Sequence, residues 1–122
     1  MRILRLSALF APAFSACSTV QPDWPTDIPA QPDCGEQRGC HVIDHWTDEA
    51  GQARETFNVV EVFERLDGME CGHSRVLVPG VKAVAVITLL PGTGPEVWRH
   101  DVMHTRGWTH DDMPALIDRC GR

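Results

Sequence analysis

Three histidines in the last quarter of the chain have a spacing suited to binding a metal ion. His100 and His104 are four residues apart, so on a helix both imidazoles lie on one face and reach the same point in space. Gly107 can adopt the left-handed conformation that ends a helix, which would bring His110 back as a third nitrogen ligand. Three neutral imidazoles leave one position of a zinc ion open to a water, whose pKa then falls to about 7. The spacing therefore predicts a zinc site suited to hydrolysis.

The same residues resemble a known family. The pattern His-x-x-x-His-x-x-Gly-x-x-His is similar to the metzincin signature of zinc metallopeptidases. The resemblance implies a zincin-like domain, Zn²⁺ held by the three histidines and a polypeptide substrate. It also implies that Asp101 is the general base, although the family has a glutamate there, which is one methylene longer. The strand before such a helix commonly binds extended substrate by edge pairing.

Other interpretations of this cluster stay open. The histidines can be solvent-facing residues of a short helix that bind nothing. They can also form a metal site without catalysis, which the shorter side chain of Asp101 would favour. A third interpretation, an envelope interaction module stabilised only by disulfides, requires no metal.

A strand and a proline-rich break precede the histidine segment. Residues 84–90 are the clearest strand in the sequence, and the Pro79-Gly80 pair predicts a turn before it. Residues 91–95 break the strand, and Pro95 suits the first turn of a helix because its missing N–H would be unpaired there anyway. The sequence therefore predicts a strand that leads directly into the histidine helix, and a short C-terminal helix over residues 115–120.

Residues 56–66 fit two patterns. Their apolar residues have helical spacing, whereas their β-branched density favours a strand, and we expect a strand that passes into a short helix around residues 62–66. His41 and His45 also differ by four, but on a strand they would be roughly 13 Å apart, too far to share a metal. We interpret both, and His73, as surface residues.

Four cysteines after the N-terminal region predict two disulfides. In an oxidising compartment an even number of cysteines is typical of a disulfide framework. We favour Cys34–Cys40 and Cys71–Cys120 among the three possible connectivities. A cysteine zinc site is the alternative, but the chain has no Cys-x-x-Cys pair.

The first 16 residues have the pattern of an export signal. Arg2 and Arg5 precede an apolar run over residues 6–14, which is too short for a permanent transmembrane helix. Cys17 follows small residues and resembles the bacterial lipobox, which implies lipidation at Cys17 and an exported lipoprotein of the cell envelope. Ser18 is the kind of residue that goes with outer-membrane sorting in Gram-negative lipoproteins, on the side that faces the periplasm.

The remaining chain divides into a tether and one domain. Residues 17–33 contain four prolines among polar residues, which predicts an extended tether. Residues 34–122 are predicted to form a small α+β domain with a few strands. Removing residues 1–16, with two arginines and no acids, changes the formal charge from −6 to −8. A chain this acidic is not expected to bind nucleic acid.

Overall fold

A computed structural model of the protein describes residues 24–35, 37–64, 66 and 71–114. This part of the chain has the α+β class that the sequence predicts. Its elements are β1 (Gly39–Thr47), β2 (Ala53–Val62), β3 (Gly72–Val78), β4 (Lys82–Leu89), α1 (Pro95–Thr105) and a 3-10 helix (His110–Asp112). The predicted C-terminal helix over residues 115–120 lies outside the described residues.

The four strands form one mixed sheet in the order β1-β2-β4-β3. The central pair, β2 and β4, is parallel, while β1 and β3 add antiparallel strands on either side. The strand that leads into α1 is therefore interior. The sequence does not decide whether this strand is an edge, and the structure shows that both of its backbone edges are paired. The edge strand beside α1 is β3.

One face of the sheet packs against α1 and forms the core. In β4 every second residue is buried, from Ala83 to Leu89, as expected for a strand with one face on a helix. Ile87 and Leu89 join the buried core of α1, which includes Trp98 and Val102. This packing fixes the helix that carries two of the three histidines.

The predicted passage of β2 into a helix is wrong. β2 stays extended to Val62, and neither Phe63 nor Glu64 is helical. Its backbone pairs with β1 on one side and β4 on the other, and Phe63 still donates to the Leu89 carbonyl at 3.0 Å. Strand pairing on both sides satisfies every backbone group, so it outweighs the helical spacing of the apolar side chains.

The proline-rich segment contacts the domain over part of its length. The Trp98 indole N–H donates to the Pro29 carbonyl at 2.8 Å, and the Gln31 amide donates to the Thr93 carbonyl at 3.1 Å. Ile28 packs against the core. The second half of the predicted tether thus lies along α1. Residues 1–23, with the predicted signal and Cys17, are outside the described part.

The Cys34–Cys40 disulfide is present and joins this segment to β1. Cys71 is buried and is also disulfide-bonded. Its predicted partner, Cys120, lies outside the described residues, so that pairing stays a prediction. Within the described ranges, no helix is long and apolar enough to cross a membrane.

Candidate metal centre

Helix α1 begins and ends where the sequence predicts. Pro95 occupies its first turn, and the helix stops at Thr105. Gly107 then has a φ of +99°, the left-handed conformation that glycine adopts without strain. The N–H of Trp108 returns to the Met103 carbonyl at 3.0 Å. This tight reversal directs the following 3-10 helix back toward the histidine face of α1.

The reversal brings the three predicted histidines together. One ligand atom from each of His100, His104 and His110 lies within 4.8 Å of the other two. The ring centroids are 4.6 Å apart for His100 and His104, 5.2 Å for His100 and His110, and 4.8 Å for His104 and His110. Three imidazoles from two elements therefore converge on one point, and the cluster could hold a metal ion.

The separation of the two helix nitrogens is compatible with a shared metal ion as well as with a hydrogen bond between the rings. Nε2 of His100 and Nε2 of His104 are 3.1 Å apart. Tetrahedral ligands with bonds of about 2.0 to 2.1 Å have nitrogens about 3.3 Å apart, close to this value. Nδ1 of His104 lies 2.9 Å from the Trp108 carbonyl, which can only accept, so Nδ1 carries the proton and Nε2 keeps its lone pair.

The local environment favours the neutral, ligand-competent form of both helix histidines. Burial, and then the neighbouring His104 and His110, lower the pKa of His100 from 6.5 to about 4. Burial is also the main reason that the pKa of His104 is lowered. Nδ1 of His100 is buried, and no described residue forms a hydrogen bond with it. His110 is exposed, so the cluster opens to solvent on one side.

Asp101 is buried on the same helix. Only 3% of its surface is exposed, and burial raises its pKa from 3.8 to about 7. Its Oδ2 atom has no hydrogen-bond partner among the described residues. The carboxyl is directed at β3, since a Cβ atom on Gly72 would collide with Oδ2 and crowd Leu89 and Val97. Gly72 thus makes room for Asp101. The role of this glycine is not predictable from the sequence, because no local pattern relates a strand residue to the helix.

The C-terminal end of α1 is held by a buried ion pair that was not predicted from the sequence. The Arg106 guanidinium donates twice to the Asp44 carboxylate, at 2.8 Å each. It also donates to the Asp27 carboxylate at 3.0 Å and to the Asp27 carbonyl at 3.3 Å. The Trp46 ring lies between Arg106 and Arg54, whose guanidinium carbons are 5.5 Å and 5.2 Å from the ring centroid. These contacts anchor the C-terminal end of α1 on β1 and fix the histidines relative to the sheet.

The remaining histidines and Asp112 lie outside the ligand group. His41, His45 and His73 are exposed and outside the three-histidine group. Asp112 accepts hydrogen bonds from the backbone N–H and the hydroxyl of Thr109, at 2.7 Å and 3.0 Å. Asp112 therefore caps the short helix that carries His110 and is not in the ligand group.

Comparison with known proteins adds nothing to this geometry: no family model, no curated protein and no solved structure matches the chain.

Proposed function

We propose that this protein is a zinc-dependent peptidase of zincin-like fold that acts on polypeptides in the bacterial cell envelope. The observation that carries the proposal is the convergence of three histidines, with ligand atoms within 4.8 Å of one another and one imidazole exposed. Structural zinc sites use four protein ligands, whereas hydrolytic sites keep one position open. Within the described residues, this cluster has three.

The chain's own residues have distinct roles in the proposal. His100, His104 and His110 would hold the ion, and the Trp108 carbonyl keeps His104 in the tautomer that a ligand needs. A bound divalent ion would supply Lewis-acid polarisation of the scissile carbonyl and activation of a water. Asp101, one residue after His100, would accept the proton. Its pKa of about 7 suits a general base at neutral pH.

The outer edge of β3 is the proposed binding site for the substrate backbone. Among the described strands, β3 pairs with β4 alone, so its other edge has no partner within the described part of the chain. It also contacts α1, with Gly72 against Asp101. An extended polypeptide added to this edge would run beside the histidine helix, and main-chain hydrogen bonds would hold it with little dependence on sequence.

The proposed location is the periplasmic face of the outer membrane, with a lipid at Cys17. The Cys34–Cys40 disulfide supports an oxidising compartment, because such bonds are rare in the cytosol. Replacing Cys17 by serine should move the protein from the membrane fraction to the soluble envelope fraction. Unchanged retention would remove the lipid anchor from the proposal.

A second candidate function is metal binding without catalysis. It is favoured by the burial of Asp101, whose carboxyl is 3% exposed and directed toward Gly72. A base enclosed in this way has to reach a water at the metal with a side chain one methylene shorter than glutamate. If it does not reach, the protein would sequester a divalent ion or use it to hold a surface.

Cleavage of an unfolded generic substrate such as casein separates the two functions. We expect cleavage that a chelator abolishes, and Asp101→Ala should lower the rate by roughly 10² to 10⁴-fold with the metal retained. Asp101→Glu should cleave equally well or faster. Glu49→Ala, at an exposed acid in the β1–β2 turn, is the control and should have no effect. If none of these proteins cleaves and all bind metal, the second function is correct.

A further inference from the structure

The turn between β3 and β4 exposes an unusual amount of aliphatic surface. We define residues 75–82 as the apolar tip, and all eight of them are exposed. The exposed fractions are 39% for Val76, 49% for Leu77, 52% for Val78 and 45% for Val81. Both faces of the hairpin are open, so the apolar tip projects beyond the layer in which the sheet packs on α1.

The apolar tip has a fixed conformation. Gly80 has a φ of +132°, which only glycine adopts easily, and its carbonyl accepts from the Arg54 guanidinium at 2.7 Å. The N–H of Glu55 donates to the Val81 carbonyl at 2.8 Å. These bonds tie the base of the turn to β2. Its aliphatic side chains are therefore held in water by a rigid hairpin, an arrangement that costs free energy unless something covers them.

The other turn at the same end of the sheet is polar. Residues 48–52 connect β1 to β2, and the Asp48 carboxylate accepts from the backbone N–H groups of Ala50 and Gln52 at 2.9 Å and 2.8 Å. This is how a hairpin turn is ordinarily made compatible with water. Because the two turns serve the same purpose in the fold, the aliphatic surface of the apolar tip is not a requirement of the fold.

Two cations flank the aliphatic residues. Arg75 precedes them on β3, Lys82 follows them on β4, both are exposed, and the stretch between has no acid. The nearest acid in register is Glu55, opposite Lys82, and its carboxylate is 2.9 Å from His45. Asp48 is paired with Arg54 at 3.2 Å, and Glu49 lies in the β1–β2 turn. The apolar tip is thus locally basic in a chain whose net charge is −6.

We propose that the apolar tip inserts into the interfacial region of a lipid bilayer that contains anionic lipids. Aliphatic side chains on a convex tip match the acyl boundary, and flanking Arg and Lys match anionic headgroups. Protein interfaces, by contrast, are enriched in aromatic residues, and the apolar tip has none. The proposal does not depend on a metal, on catalysis or on a lipid at Cys17.

Insertion of the apolar tip would leave the other end of β3 in water. Gly72, beside Asp101, is six residues from Val78, which is about 20 Å along a strand. A bilayer contact at the apolar tip would therefore orient the protein on the membrane without enclosing that end of the edge strand.

Vesicle sedimentation of the full chain tests the proposal. The vesicles are phosphatidylethanolamine with one quarter phosphatidylglycerol, compared with phosphatidylcholine alone. The native protein should bind the vesicles that contain phosphatidylglycerol more tightly than those of phosphatidylcholine alone. The double variant Leu77→Asp, Val78→Asp should partition into the anionic vesicles roughly tenfold or more weakly than the native protein. Ile43→Asp is the matched control, since Ile43 is 45% exposed on β1 at the opposite edge of the sheet. Equal partitioning of all three proteins would overturn the proposal.

A second measurement reports insertion itself, independently of any other segment that touches lipid. In Leu77→Trp, brominated acyl chains should quench the added tryptophan, whereas the tryptophan of Ile43→Trp should not be quenched. No added quenching at residue 77 would overturn insertion.

Light scattering of the same proteins tests whether a second copy of the chain covers the apolar tip instead. A dimer that Leu77→Asp dissociates, without any effect on vesicle binding, would also overturn the proposal. His104→Ala should bind vesicles normally, which separates this result from the proposed peptidase function.

Discussion

Asp44 and Asp101 are two buried carboxyl groups in the same layer, between the sheet and α1. Their exposed fractions are 1% and 3%. Asp44 receives two hydrogen bonds of 2.8 Å from Arg106, whereas the Oδ2 atom of Asp101 receives none from the described part of the chain. Asp44 is a compensated charge that fixes the end of α1. Asp101 is an acid whose charged form is disfavoured by burial, since burying an unpaired charge raises the free energy of the folded state.

The contrast distinguishes a contact that stabilises α1, the Asp44 pair, from a candidate functional group on α1, Asp101. A buried ion pair with good geometry is a structural contact, and its loss leaves an uncompensated charge. An unpaired buried carboxyl beside a cluster of metal-ligating residues has no structural explanation of its own. Perturbed groups of this kind are concentrated at functional sites. The three predictions that follow test this division, in order of decreasing effect.

Breaking the ion pair should have the largest effect on stability. Arg106→Ala leaves Asp44 buried without its partner and should lower the free energy of unfolding by roughly 3 to 5 kcal/mol, as for other broken buried pairs. Urea unfolding of the metal-free protein measures this. His45→Ala removes an exposed pair with Glu55 and should cost less than about 1 kcal/mol. Similar losses in the two variants would show that the Asp44 pair is not structural.

Removing the charge of Asp101 should instead stabilise the metal-free protein at alkaline pH. Its folded-state pKa of about 7 lies above the ordinary 3.8, so the folded state binds this proton more tightly. Stability from this group is therefore lost as the pH rises from 3.8 to about 7, and the loss is complete above that. Asp101→Asn should gain at most about 4 kcal/mol at pH 8, at 1.36 kcal/mol for each pKa unit.

The pH dependence of the difference between the two proteins isolates Asp101. His100 acts in the opposite direction, since its pKa falls from 6.5 to about 4 and its stabilisation is lost as the pH falls through that range. Because His100 is present in both proteins, its contribution cancels in the difference. An advantage of Asp101→Asn that does not grow between pH 4 and pH 7 would mean that Asp101 has a partner in solution.

Filling the space beside Asp101 should have the smallest of the three effects on stability. Gly72→Ala places a Cβ against the carboxyl and should cost roughly 1 to 3 kcal/mol by overpacking. It should also slow casein cleavage while the metal is retained. In the double variant with Asp101→Ala the stability loss should be less than the sum of the single losses, because the closest of the three contacts is gone. Additive losses would indicate that Gly72 and Asp101 do not share this space.

The histidine site was predictable because its spacing is local. His100, His104 and the left-handed Gly107 follow from helix geometry, and a single turn is enough to return His110. Asp44 was not predictable, since the strand exposes Ile43 at 45% and buries Asp44 at 1%, the reverse of their hydropathy. Its partner is 62 residues away in sequence, and no local pattern encodes that distance. The same applies to Gly72 and to the edge position of β3.

Metal content tests the central claim most directly. The full chain, purified without chelator and analysed by mass spectrometry of the elements, should contain one divalent ion per chain, with zinc the expected ion. His104→Ala should reduce this at least tenfold, because it removes one of three ligands, while His45→Ala, at an exposed histidine of β1, should retain it. A metal-free native protein that also fails to take up added zinc would contradict the account, and so would equal metal in the two variants.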